Sequence, residues 1–93
     1  MDEPVSLDHR LRRLQFRAWH RGTREADLMI GGFADRYAQG WDDAQLRWFE
    51  SLLDEQDVDV MGWAFGTIVA PETFEGPMLD ALKKLDYVAV AMR

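Results

Sequence analysis

With 93 residues the chain has room for one domain and a single modest core, with about two-thirds of the unfolded surface hidden on folding. It has no cysteine, which excludes disulfides, thiol catalysis and cysteine-ligated zinc or iron–sulfur centres, and its 47% hydrophobic content with four tryptophans marks a globular composition. The net charge of -6 is uneven, since residues 1–25 hold six arginines against four acids while the remainder holds five basic and thirteen acidic residues. 

Residues 1–5 read as a loose tail and Ser6 as an N-cap. Leu7, Leu11, Leu14 and Ala18 recur at steps of four, three and four, which predicts a first helix over residues 7–19. Arg10, Arg13 and Arg17 share another face of it, either a solvated basic face or a docking ridge for an acidic partner. Gly22 suits the left-handed position just past that helix, with His20 and Arg21 at the negative end of its dipole. Thr23 is then the expected cap of a second helix, with Glu25 and Asp27 in its first turn. Ala26, Ile30, Phe33 and Tyr37 form its apolar stripe. Gly31 and Gly32 fall inside this helix, where each costs about 1 kcal/mol relative to alanine. Such a cost points to close approach of another backbone, from a neighbouring helix or a partner. Gly40 closes the helix.

Asp42 and Gln45 have capping-box spacing, and Leu46, Phe49 and Leu53 mark a third helix with Trp48 and Leu52 beside the stripe. Asp57 is the expected cap of a short fourth helix over residues 58–65, carrying Val60, Met61, Trp63 and Ala64 and ended by Gly66. Pro71, Gly76 and Pro77 punctuate a loop, and Met78, Leu82 and Leu85 mark a fifth helix. The stretch Tyr87-Val88-Ala89-Val90-Ala91-Met92 is apolar and open to three readings: an extended helix, a segment packed back on the core, or a sticky end. No period-two pattern competes elsewhere. The fold expected is all-α, a small five-helix bundle forming a single domain over residues 1–93, with 86–93 as an apolar tail.

No apolar run approaches the roughly 18 residues of a membrane span, and no signal-peptide core is visible. Asp8 and Glu25 argue against a transit-peptide reading of the arginine-rich residues 9–24, so the expected location is cytoplasmic. A basic end on an acidic body suits docking on a charged protein surface in one orientation and disfavours nonspecific nucleic-acid binding. His9 and His20 lack the spacing of a one-face metal pair and read as surface histidines. Ser6, Thr23 and Ser51 have no nearby histidine in sequence to activate them. Asp54, Glu55, Asp57 and Asp59 lack the spacing of a calcium loop. The four tryptophans, Trp19, Trp41, Trp48 and Trp63, read as core or rim, with one or two as interface anchors. No metal site and no catalytic constellation is expected, and the residues by themselves describe an acidic helical binding module.

The segment Arg21-Gly22-Thr23-Arg24-Glu25 matches R-G-x-x-E, and the match continues in order. Glu25, Asp27 and Phe33 follow E-x-D-x-x-x-x-x-F, and Phe49, Leu52, Leu53, Asp57 and Trp63 follow F-x-x-L-L-x-x-x-D-x-x-x-x-x-W. Over residues 10–66 the chain resembles the succinate dehydrogenase assembly factors, the SdhE-type flavinators called assembly factor 2 in mitochondria. The resemblance implies a five-helix bundle that binds the flavoprotein subunit of succinate dehydrogenase and, in bacteria, of fumarate reductase. It implies promotion of covalent FAD attachment to a histidine of that partner, which is neither His9 nor His20. The family has no active site of its own, and FAD acts through the partner rather than as a stably bound cofactor here. The resemblance also implies a free monomer without membrane insertion. The partner-binding residues it implies are Arg21, Gly22 and Glu25, with Arg24 and Arg17 beside them. Arg21 would offer a bidentate fork to a partner carboxylate or a polarised oxygen, Gly22 would allow close backbone approach, and Glu25 would pair with a partner cation or orient Arg21. The same cluster also has a complete reading as helix capping. Residues 67–77 and 86–93 fall outside the resemblance. Three other readings are a regulatory, antitoxin-like module, a small enzyme acting through Arg21 and Glu25, and a nucleic-acid binder using the six arginines.

Overall fold

The predicted apolar stripes fall on α-helices in the computed structural model, which describes residues 7–87. In the fifth, however, the buried residues are Leu79 and Leu82 rather than Met78 and Leu85, and Leu85 lies just past the helix end at φ +56°. The helices are α1 (Leu7–Ala18), α2 (Arg24–Tyr37), α3 (Asp43–Leu53), α4 (Asp57–Phe65) and α5 (Pro77–Lys84). Short 3-10 turns at Ala38–Gly40 and Glu72–Phe74 link α2 to α3 and α4 to α5, and there is no strand among the described residues. The expected tail at 1–5, the Ser6 cap and the apolar stretch beyond Tyr87 lie outside the described residues.

Helix α1 packs on α2 and α3, and α4 packs on α2 and α5, so α2 lies between the two halves. Its buried face runs through Ala26, Met29, Ile30, Phe33 and Ala34. Phe33 is the hub. Its ring centroid lies 5.3 Å from Tyr37, 5.5 Å from Trp41, 5.9 Å from Phe49 and 5.3 Å from Tyr87. These tilted and edge-on arrangements suit the ring quadrupoles. Tyr87, the first residue of the apolar stretch, is therefore packed back on the core, and its hydroxyl donates to the Leu82 carbonyl at 2.6 Å. The loop between α4 and α5 is tied down by Phe74, which packs on Trp48 and Trp63 while Trp48 Nε1 donates to its carbonyl oxygen at 3.1 Å.

The helix ends show where local chemistry suffices. Thr23 caps α2, accepting from Ala26 N, and Asp42 with Gln45 forms a full capping box on α3. Gly66, at φ +81°, closes α4 in the left-handed region. Four expectations are corrected. Asp57 is not the cap of α4: Gln56 holds that position without a side-chain bond, and Asp57 is the first helical residue. Gly22 does not end α1, which stops at Ala18 with tightened bonds from Trp19 N to Phe16 O and from His20 N to Arg17 O. Gly31 does not admit another backbone. It faces the indole of Trp19, which an added Cβ would overlap. The arginine face of α1 is not uniformly solvated, because Arg10 turns onto α3. There Nε and Nη2 donate to the Glu50 carboxylate at 3.0 Å each, and Nη1 reaches Asp43.

Candidate functional site

The corner between α1 and α2 is built from both sides. On the α1 side, Trp19 lies against Gly31 and its Nε1 donates to Asp35 Oδ2 at 3.2 Å. His20 stacks on Phe16 with centroids 4.0 Å apart, and its Nδ1 lies 2.6 Å from the Phe16 carbonyl oxygen. On the α2 side, the Thr23 hydroxyl accepts from Ala26 N at 3.2 Å, and the Thr23 carbonyl accepts from Asp27 N at 3.0 Å. The Asp27 carboxylate reaches back to accept from Arg21 N at 2.6 Å. The chain between the helices is thus held by side-chain to backbone bonds rather than by a longer helix.

Arg21 crosses to the junction of α3 and α4. Its Nε donates to Asp57 Oδ1 at 2.8 Å, its Nη1 to the Leu53 carbonyl at 2.9 Å and its Nη2 to the Glu55 carbonyl at 3.1 Å. The side chain is 11% exposed. The fork that the family resemblance directs at a partner carboxylate is therefore engaged within the chain. The physical reason is local. Leu53 ends α3, where carbonyls lack helical partners and the dipole is negative, and Asp57 opens α4, where an anion is favoured. A guanidinium matches that set of planar acceptors better than any other side chain.

Gly22 stands next to this anchor with φ +115°, a backbone setting that side chains with a Cβ rarely adopt. A Cβ built there would have no atom within 4 Å, so space does not demand glycine in the free chain; the torsion does. Arg24 and Glu25 occupy the first two positions of α2, are exposed, and make no ion pair among the described residues. An open groove at the corner is lined by Trp19, His20, Gly22, Thr23, Arg24, Asp27 and Leu28. Arg17 is partly engaged, donating to Asp54 Oδ1 at 2.9 Å while its side chain remains 45% exposed.

Of the five residues singled out from the sequence, Arg21, Gly22, Arg24 and Glu25 share this corner, and Arg17 and Arg21 both reach the chain segment around the end of α3. Sequence reasoning missed the parts played by Asp57, Asp27 and Trp19. The two acids carried a signal as helix-start residues and as positions of the family motif, neither of which says what they bind, and Trp19 carried one only as a core or rim aromatic. What the corner presents outward is a turn with no side chain at Gly22, followed by a cation, Arg24, and a carboxylate, Glu25, that are exposed and unpaired among the described residues, a surface for recognition by shape and charge. Among the described residues no group of three or more histidine or acidic side chains is arranged to hold a metal ion, and no helix is long and apolar enough to cross a membrane.

A family model described as flavinator of succinate dehydrogenase, Sdh5, matches residues 12–86, a span that contains the whole corner and all its anchors. The chain is 42% identical over 74 residues to a protein of Acetobacter pasteurianus named FAD assembly factor SdhE, covering 80% of this chain and 68% of that one. It is 31% identical over 81 residues to the mitochondrial succinate dehydrogenase assembly factor 2 of Danio rerio and 35% identical over 82 residues to that of Saccharomyces cerevisiae. These alignments cover 85% of this chain in both cases, but 51% and 49% of the mitochondrial proteins, about half their length.

Proposed function

The chain belongs to the family of succinate dehydrogenase flavinators, and from that premise we propose that it binds the flavoprotein subunit of succinate dehydrogenase and promotes covalent attachment of FAD to a histidine of that subunit. It does so as a binding protein without an active site of its own. FAD belongs to the partner and this chain holds the partner's domains so that flavin and acceptor histidine meet in a near-attack arrangement. The flavoprotein of fumarate reductase is a second partner in bacteria. The chain works in the cytoplasm and is a monomer when free.

The observation that carries this reading is the Gly22 corner: a rigid turn, held from both sides, with no side chain at its apex. A partner backbone approaches Gly22 to contact distance, Glu25 pairs with a partner cation, and Arg24 with a partner carboxylate. A charged side chain at position 22 would stand between the two surfaces. In-gel flavin fluorescence of the denatured flavoprotein subunit tests this. The subunit is produced alone, with the intact chain, or with Gly22→Arg. Fluorescence is expected with the intact chain only, and equal fluorescence in all three samples would remove flavinylation from this protein.

A further inference from the structure

We propose that Asp57 is a positioning residue for this corner: through Arg21 it presets the Gly22 turn, and the partner meets Gly22, Arg24 and Glu25 rather than the Arg21 guanidinium. The inference rests on the reading of the corner as the partner-binding surface, and it assigns a role to a residue on a different pair of helices.

Asp57 sits 36 residues from Arg21 in sequence and accepts its Nε at 2.8 Å, with the arginine side chain 11% exposed and the aspartate 25%. Among the described residues Asp57 has no other cation, and Arg21 has no other carboxylate on its guanidinium. The acceptor set exists independently of the arginine. Two carbonyls come from the end of α3 and the following turn, and the carboxylate is held at the favourable start of α4. Arg21 is thereby fixed at both ends, its amide by Asp27 of α2 and its guanidinium by Asp57 of α4. Gly22 is the next residue, so its position is set by a bracket spanning α2, α3 and α4. Turning the guanidinium out to a partner would break three bonds and leave Asp57 unpaired at one-quarter exposure.

The test is a double-mutant cycle on binding of the apo flavoprotein subunit, with Asp57→Asn, Arg21→Gln and the double variant. Amide hydrogen exchange at position 21 and Ala26, the hydrogen-bonded amides of the corner, is measured in parallel on each free protein. Asp57→Asn and Arg21→Gln are each expected to weaken binding by about tenfold, and the double variant to be no weaker than the worse single one. Both are expected to speed exchange at position 21 and Ala26, whose amides donate to Asp27 Oδ1 and the Thr23 hydroxyl, while the amides around Phe33 stay protected, and Asp57→Glu is expected to recover part of both effects. Wild-type affinity for Asp57→Asn beside a large loss for Arg21→Gln would overturn the inference and give Arg21 to the partner. So would losses that multiply in the double variant. If the intact chain fails to bind the flavoprotein, the functional reading falls. The exchange data then decide the bracket, and unchanged rates at Arg21 and Ala26 in Asp57→Asn would end it.

Discussion

Gly22 and Gly31 require glycine for different reasons. At Gly22 the limit is torsional, since φ +115° is strained for any residue with a Cβ although the space is open. At Gly31 the backbone is ordinary helix and the limit is the Trp19 indole lying against it. Gly22→Ala should cost about 1–3 kcal/mol of backbone strain. Gly31→Ala should gain about 1 kcal/mol of helix propensity and lose about 1–3 kcal/mol to overpacking. The two are separable by the Trp19 indole N–H resonance. It should shift in Gly31→Ala, as the ring leaves Asp35, and stay in place in Gly22→Ala. A Trp19 resonance unmoved by Gly31→Ala would contradict the packing described. Glycine inside a helix signalled a close neighbour in the sequence, but not that the neighbour is a ring supplied by the preceding turn. The Arg21 anchor was still less legible. Two of its three acceptors are backbone carbonyls, which no residue type announces, and the third, Asp57, precedes an apolar run in the manner of an ordinary cap.

At the scale of elements, what sequence revealed was whatever depends on neighbours three or four residues away. The stripe of α2, the Thr23 cap and the Asp42–Gln45 box are of that kind, and they stand where their spacing puts them. The arginine face of α1 is not of that kind. Arg10, Arg13 and Arg17 are equivalent by spacing, yet Arg10 clamps α3, Arg17 reaches Asp54, and Arg13 is exposed and makes no ion pair among the described residues. Only the packing of α1 against α3 distinguishes them. The clamp predicts an acid limb in stability. The hydrogen bond from Arg10 holds Asp43 below the usual carboxylate range, with Arg47 adding to the effect. A carboxylate with a depressed native pKa stabilises the fold above its unfolded pKa, near 4, and that contribution disappears as pH falls through the native value. Denaturant unfolding at pH 7 and pH 3 should therefore show a smaller acid loss in Asp43→Asn than in the intact chain. Equal losses would mean that the Asp43 clamp contributes nothing to acid stability.

For the whole molecule, the charge polarity of the sequence turns out to be folded inward. Arginines of the basic end pair with acids of the acidic body: Arg10 with Asp43 and Glu50, Arg17 with Asp54, Arg21 with Asp57. These pairs bind α1 and the corner to α3 and α4, while the Phe33 cluster binds α2 to the end of the described chain through Tyr87. Tyr87 is 2% exposed, and burial raises its pKa, with Asp86 and Tyr37 adding to the rise. A group whose native pKa is raised stabilises the fold fully below its unfolded pKa, about 10 for tyrosine, and loses that contribution as pH climbs from there toward the native value. Tyr87→Phe removes the hydroxyl and its bond to the Leu82 carbonyl. At pH 7 the variant should therefore be less stable by about 1 kcal/mol. Above pH 10 the intact chain must keep the Tyr87 hydroxyl neutral to stay folded, whereas phenylalanine has nothing to ionise, so the gap between the two should narrow or reverse by about pH 11. Denaturant unfolding of both proteins at pH 7 and pH 11 measures that gap. A constant gap would show that Tyr87 is free to ionise in the folded protein, and with it that the Phe33 cluster is open to solvent at this end.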